Sequence, residues 1–375
     1  MIIIFIILYS LLILIFKKNF YFSFLFLSVL IASTDFSNFS VPIIWLLIII
    51  GVVTKKIRFD KNNFLCLLLL FILLISLISL SFLNGAFVYN SIGTLSKLMI
   101  IFVFLLMSYK NLLFNVDDVY LNIKFFIFLS LVSFILYPFG YYSDQGILLN
   151  RFSGFLYDAN YFALFCFIFY LFVDMYRYGS SKDVKVIKAF MLFFILISQS
   201  LSTMLFFLVY IFISKKIILC LSRRINPYFY FVILIIMLLY FRSIETIAFY
   251  DDWQDSYLSM KFNSVIIRLN GLHAGFVHIG RDLSIFLWGM GSGRSLEVFD
   301  RVFHNLYFQE LFDHGLVYYF MISCVIYKAT KNSSYNVSVV IFFLLMNNLI
   351  FDNFYIFIFV FCFMIFSLDN RFDNC

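Results

Sequence analysis

Charge is scarce in this chain. Only 13% of its 375 residues are Asp, Glu, Lys or Arg, against 64% hydrophobic residues and a mean hydropathy of +1.02. That shortage excludes an ordinary soluble domain, because part of every globule must face water and so little polar surface cannot cover it. A disulfide framework is also missing. Of six Cys, Cys66, Cys166, Cys324 and Cys362 lie in apolar runs, Cys220 sits beside basic residues and Cys375 is terminal, so no bridging pattern follows. Metal-ligand spacing is absent too. His273 and His278 are five apart with no acidic or Cys neighbour, and the DDWQD cluster at Asp251 to Asp255 reads as a solvated acidic loop. Neither a structural nor a catalytic metal is expected. The run 1–16 has no basic leader and no A-x-A-type cleavage site, so it is expected to be a retained span.

Aromatics are abundant, with 56 Phe and 25 Tyr. They accompany many Ile, Asn and Lys residues, the pattern of an AT-rich coding sequence. No aromatic stripe signals a cofactor, and none is expected. There is no internal repeat and no low-complexity linker, so residues 1–375 read as a single integral membrane domain.

Crossing a hydrocarbon core as a helix takes about 20 residues, fewer when flanking side chains snorkel. Hydrophobic runs fall at 2–16, 19–33, 41–53, 64–83, 91–108, 124–140, 160–173, 188–200, 201–214, 228–242, 316–328, 337–350 and 353–367. The expected fold is therefore all-α and polytopic, with about 11–13 transmembrane helices. Residues 189–213 form one long run, but Lys182, Lys185 and Lys188 precede it and Lys215, Lys216, Arg223 and Arg224 follow it. Cytoplasmic flanks collect Lys and Arg, so both clusters belong on one side. A hairpin turning near Ser200 is expected.

With that hairpin, 19 of the 27 basic residues, Lys124 among them, fall in expected cytoplasmic segments. The net charge of +7 is then topological, and no nucleic-acid partner is expected. Lys97 lies within a span. Arg151, Arg242, Lys261, Arg268, Arg281, Arg294 and Arg301 lie outside, and six of these seven are Arg, whose rigid fork of donors suits phosphate. The longest interruption of hydrophobicity, 242–315, holds all four His and half of the 14 Gly. It reads as one large periplasmic loop that carries function.

Three stretches stand out. RFSGFLYDANYFA, from Arg151 to Ala163, places Arg151, Asp158 and Asn160 where an outer loop re-enters the membrane. Arg268 lies in IIRLNG within the large loop, ahead of WGMGSGR at Trp288 to Arg294, which alone reads as a flexible turn. HNLYFQELFDHG, from His304 to Gly315, leads into the next span. On helical spacing Arg301, Asn305 and Gln309 share a stripe with His304 alongside, while Val302, Leu306 and Phe312 offer apolar contacts. That is an amphipathic helix over the membrane mouth. Singly, His304 also fits an interfacial histidine, and Arg151 and Arg268 fit contacts to lipid headgroups.

Taken in order, these stretches resemble the superfamily of O-antigen polymerases (Wzy) and O-antigen ligases, bacterial membrane glycosyltransferases. The resemblance rests on Arg151, Gly154 and Asn160, on Arg268, on Gly289, Gly291 and Gly293, and on His304, Asn305 and Gly315. It covers roughly the second half of the chain. Two departures are Ala159, where the family often has Pro, and Leu201 in SQSLS, where it often has Arg. No role is carried over for that hairpin.

The resemblance implies a polymerase of the bacterial inner membrane with its active site facing the periplasm. It would join undecaprenyl-pyrophosphate-linked oligosaccharide repeat units by inverting glycosyl transfer. His304 would act as catalytic base, Arg151 and Arg268 would hold the pyrophosphate, and Asn160, Asn305 and Gln309 would support them. Guanidinium groups can take the leaving-group charge without a metal, and His is suited to accept a hydroxyl proton near neutral pH. Implied partners are the lipid-linked glycan, the bilayer and a chain-length regulator protein. The alternatives are a ligase that moves the glycan to lipid A-core and, in another class, a lipid-linked glycan flippase, which would place charged residues within its spans.

Overall fold

The computed structural model describes residues 40–53, 116–136, 151–156, 158–176, 180–212, 257–291 and 311–318, with isolated positions such as Ser96 and Ile100. Every regular element among the described residues is α-helical. Seven helices are α1 (Ser40–Val53), α2 (Val116–Leu136), α3 (Ala159–Tyr176), α4 (Ser181–Ser198), α5 (Leu201–Phe212), α6 (Tyr257–Ile279) and α7 (Leu283–Trp288). Residues 311–318 are also helical. Among the described residues one helix, α2, is long and apolar enough by itself to cross a membrane. Runs 2–16, 19–33, 64–83, 91–108, 228–242, 337–350 and 353–367 lie wholly or almost wholly outside the described residues.

α3 is the axis around which α2, α4 and α5 pack. Asp158 starts it, its carboxylate accepting the Asn160 N–H at 2.5 Å and its carbonyl accepting the Phe162 N–H at 3.1 Å, which satisfies donors that a first turn leaves unpaired. Ala159 is therefore the first helical residue. Pro is favoured there because its missing N–H is not needed, so Ala at this point changes little. From Phe162 to Phe169, and again from Leu171 to Val173, α3 is buried on every side, as befits a helix that is apolar all round.

Rings fill the space around it. Phe162 stacks on Phe126 of α2 at 5.5 Å and meets Phe152 and Phe194 edge-on at 5.2 and 5.5 Å. Such pairs add about 0.5–1.5 kcal/mol each beyond area burial. Gly154, at φ +61°, closes the turn beneath this cluster, and its carbonyl accepts the Ser133 hydroxyl at 2.7 Å. The turn leading into α3 is thus tied to α2.

α4 begins with a cap, the Ser180 hydroxyl accepting the Asp183 N–H at 3.1 Å, and Asp183 complements the helix dipole. It ends at Gln199, which takes the left-handed conformation at φ 52°. α5 then returns. The expected hairpin is present, for Ser200 meets Asn160 at one end of α3 while Lys188 and Tyr210 both meet Asp174 at the other. Past the charged start of α4, where Lys182, Asp183 and Lys185 are exposed, the outward faces are apolar: Val186, Phe193 and Leu196 on α4, and Leu201, Leu205, Leu208 and Phe212 on α5, are exposed.

One expected boundary is corrected. The run taken as 124–140 starts earlier, because Asp117 and Asp118 occupy the first turn of α2 and burial begins at Asp118 and Val119. Lys124 consequently projects from the helix, exposed, and does not belong to a preceding loop. The 242–315 interruption contains the 23-residue α6, whose Leu272, Phe276 and Ile279 form a buried stripe at helical spacing.

Candidate functional site

Arg151 and Asn160 come together at the head of α3. The Arg151 Nη2 donates to Asn160 Oδ1 at 2.9 Å, and its Nε donates to the Ser198 carbonyl at 3.2 Å. That carbonyl is one of those left open where α4 ends, the end that favours a cation. The neighbouring backbone is fixed as well, by the Phe152 N–H to the Ile197 carbonyl at 3.2 Å. Arg151 is held at both the start of α3 and the end of α4, half-buried. A guanidinium has five N–H donors, and these bonds use two.

The hairpin completes the cluster. The Ser200 hydroxyl donates to the same Asn160 Oδ1 at 2.9 Å, and Thr203 Oγ1 lies 3.1 Å from Ser200 Oγ. With the Ser200 proton on Asn160, Thr203 can donate to Ser200 in turn. The chain runs Thr203 to Ser200 to Asn160, with Arg151 arriving from the other side. Ser198, Ser200 and Thr203 are buried. Leu201, where an Arg would have been expected from the resemblance, is exposed instead. Sequence reasoning missed Ser198 and Ser200. SQSLS carries these hydroxyls openly, but only a partner distant in sequence gives them a role.

The opposite end of α3 differs in chemistry. Asp174 pairs with Lys188 and accepts the Tyr210 hydroxyl at 2.7 Å, while Lys188 Nζ lies 5.2 Å from the Tyr170 ring centre. Fourteen residues separate Asn160 from Asp174 on α3, so the two polar ends stand about 21 Å apart at 1.5 Å per residue. Between them lies the aromatic packing.

A second cluster gathers the glycines. Met290 N–H donates to the Phe312 carbonyl at 2.9 Å and Gly291 N–H to the Asp313 carbonyl at 2.8 Å. At Gly289, φ +80°, a Cβ would lie 2.3 Å from the Asp313 carbonyl oxygen. Gly315, φ +76°, approaches Leu287 and Gly289 equally closely. The described part of the expected flexible turn, 288–291, is therefore docked on residues 312–315, with glycines where backbones touch. Asp282 caps α7, accepting the Ser284 N–H at 2.8 Å. Hydrogen bonds from Ser284 hold its carboxyl below the usual carboxylate range.

Arg268 sits on α6, between Leu269 and Ile267, and its side chain lies outside the described residues. His304, Asn305 and Gln309 lie outside them as well. Of the expected site, the structure thus assembles Arg151 with Asn160, and places Arg268 by its backbone. Comparison with protein-family models, with curated proteins and with solved structures finds no match for this chain.

Proposed function

We propose that this chain is a polytopic inner-membrane glycosyltransferase of the O-antigen polymerase kind, acting on undecaprenyl-pyrophosphate-linked repeat units at the periplasmic face. The observation that carries the proposal is the cluster at the head of α3, where Arg151 keeps three N–H donors beyond those bound to Asn160 and Ser198. Unused guanidinium donors suit an anion, and they stand at the start of α3, where the Asp158 carboxylate is already engaged by the Asn160 N–H. Two further features support the reading. The exposed apolar faces of α4 and α5 suit a bilayer better than water. Lys182, Lys185 and Lys188 lie in the first half of α4, at the Asp174 end, which by the positive-inside rule faces the cytoplasm. The Arg151 end, about 21 Å away along α3, then faces the periplasm.

In this mechanism the acceptor hydroxyl oxygen attacks the anomeric carbon of the donor glycan, and the bond from that carbon to the pyrophosphate oxygen breaks. His304 accepts the hydroxyl proton, and Asn305 and Gln309 position the acceptor. Undecaprenyl pyrophosphate departs with the bonding electrons, its developing charge taken by Arg151 and Arg268. One displacement inverts the anomeric centre. A chain-length regulator protein is the partner that would decide how often this repeats.

The test is reconstitution with lipid-linked repeat units in excess chelator. Glycan chains should lengthen as undecaprenyl pyrophosphate accumulates. Failure to elongate would remove the polymerase, and activity that chelator abolishes and magnesium or manganese restores would remove the metal-free mechanism.

A further inference from the structure

We infer that Asn160 is a direct contact to the phosphate groups through its Nδ2 amide, and that Ser200 is a positioning residue that holds the amide in the orientation this requires. The inference rests on the proposed pyrophosphate reading and adds a second donor and its support to it.

The argument is one of hydrogen-bond direction. An Asn side chain has one acceptor oxygen and one NH2, and their orientation is set by what surrounds them. At Asn160 two donors converge on one atom, Arg151 Nη2 and the Ser200 hydroxyl, both at 2.9 Å from Oδ1. Arg151 has no acceptor, so turning the amide over would set NH2 against N–H. Ser200 supports the same choice from the other side, since its hydroxyl can donate to Oδ1 while its oxygen stays within 3.1 Å of Thr203 Oγ1. With Oδ1 fixed inward, Nδ2 points away from Arg151 and Ser200. It has no hydrogen-bond partner among the described residues and is not among the sealed, unpaired buried atoms. The remaining guanidinium donors and the Asn160 NH2 are thus neighbours at the start of α3, where the Asp158 carboxylate is occupied by the Asn160 N–H. A pyrophosphate, with several oxygens to satisfy, can engage both.

This separates Asn160 from a merely structural partner of Arg151. If Asn160 stood away from the ligand and served only to hold Arg151, Asn160→Asp would keep the fold and bind at least as well as Asn160→Ala, since a carboxylate accepts from both Arg151 and Ser200 and more strongly. If Nδ2 binds phosphate, Asn160→Asp is the worst replacement, because it puts a negative charge against the ligand and neutralises Arg151.

The experiment measures binding of undecaprenyl pyrophosphate to the full-length protein in detergent, with undecaprenyl phosphate as the second probe and thermal stability recorded for every variant. Wild type should prefer the pyrophosphate. Asn160→Ala should weaken it about tenfold, in the range of a hydrogen bond to a charged group, and Asn160→Asp about 100-fold or more. Ser200→Ala should weaken it about three- to tenfold, yet add less than about twofold in the Asn160→Ala background, the coupling expected of residues acting through one another. Wild type that binds neither probe would overturn the pyrophosphate reading itself. Wild type that binds while Asn160→Asp equals or exceeds Asn160→Ala would overturn the Nδ2 contact alone. Additive effects of Ser200→Ala and Asn160→Ala would overturn the positioning role of Ser200.

Discussion

Gly154→Ala should destabilise the unit around α3 more than its size suggests. Gly154 is at φ +61°, and a Cβ there would lie 2.3 Å from Cε2 of Phe162. A non-glycine residue in the left-handed region costs about 1–2 kcal/mol. Relief of the clash would need the Phe162 ring to move, but that ring is fully buried and held by Phe126, Phe152 and Phe194. Overpacking of this kind costs about 1–3 kcal/mol, so the total expected loss is about 2–5 kcal/mol. The Ser133 bond to the Gly154 carbonyl and the placement of Arg151, three residues earlier, should suffer with it. Thermal unfolding of the detergent-solubilised protein gives the readout as an apparent melting temperature at a fixed scan rate, because such unfolding is commonly irreversible. Combining Gly154→Ala with Phe162→Leu, which trims the ring, should cost less than the sum of the two single changes. A Gly154→Ala protein with unchanged melting behaviour, or strict additivity in the double variant, would refute the packing argument.

Three further outcomes follow from the same structure and from the expected site. His304→Ala should cut polymerisation about 100-fold or more, the usual worth of a general base, while His278→Ala, on α6 outside the matched motif, should be tolerated; glycan ladders normalised to protein abundance read both. Removing Lys188 alone should destabilise the protein, because Asp174 loses its ion-pair partner, whereas Lys188→Met with Asp174→Asn should be milder than either change separately; melting temperatures in detergent decide it. A single Cys at position 261 on a Cys-free background should react with an impermeant reagent from the periplasmic side, and labelling only after the inner membrane is permeabilised would invert the topology.

Local signals carried part of this structure. Two Lys clusters around one apolar run called for a hairpin, and α4 does end at a left-handed Gln199 with α5 returning along α3. Arg151 and Asn160, nine residues apart, were grouped by motif and do touch. What stayed hidden depends on contacts distant in sequence. Ser200 reaches Asn160 across 40 residues, and nothing in SQSLS names its partner. The glycines at 289 and 291 looked flexible because their docking face, residues 312–315, lies some 20 residues further on. The early start of α2 was missed for another reason. Hydropathy averages discount a first turn containing Asp117 and Asp118, although acids there favour the helix.

The central claim is that the Arg151 cluster receives a pyrophosphate through the fork of its guanidinium. Arg151→Lys tests it most directly, since it keeps the charge and removes the two-pronged geometry. In cells dependent on this chain for surface polysaccharide, Arg151→Lys should collapse the ladder of long glycan chains, with Arg268→Lys doing the same, at unchanged abundance in the membrane. A full-length ladder from Arg151→Lys at normal abundance would contradict the pyrophosphate site.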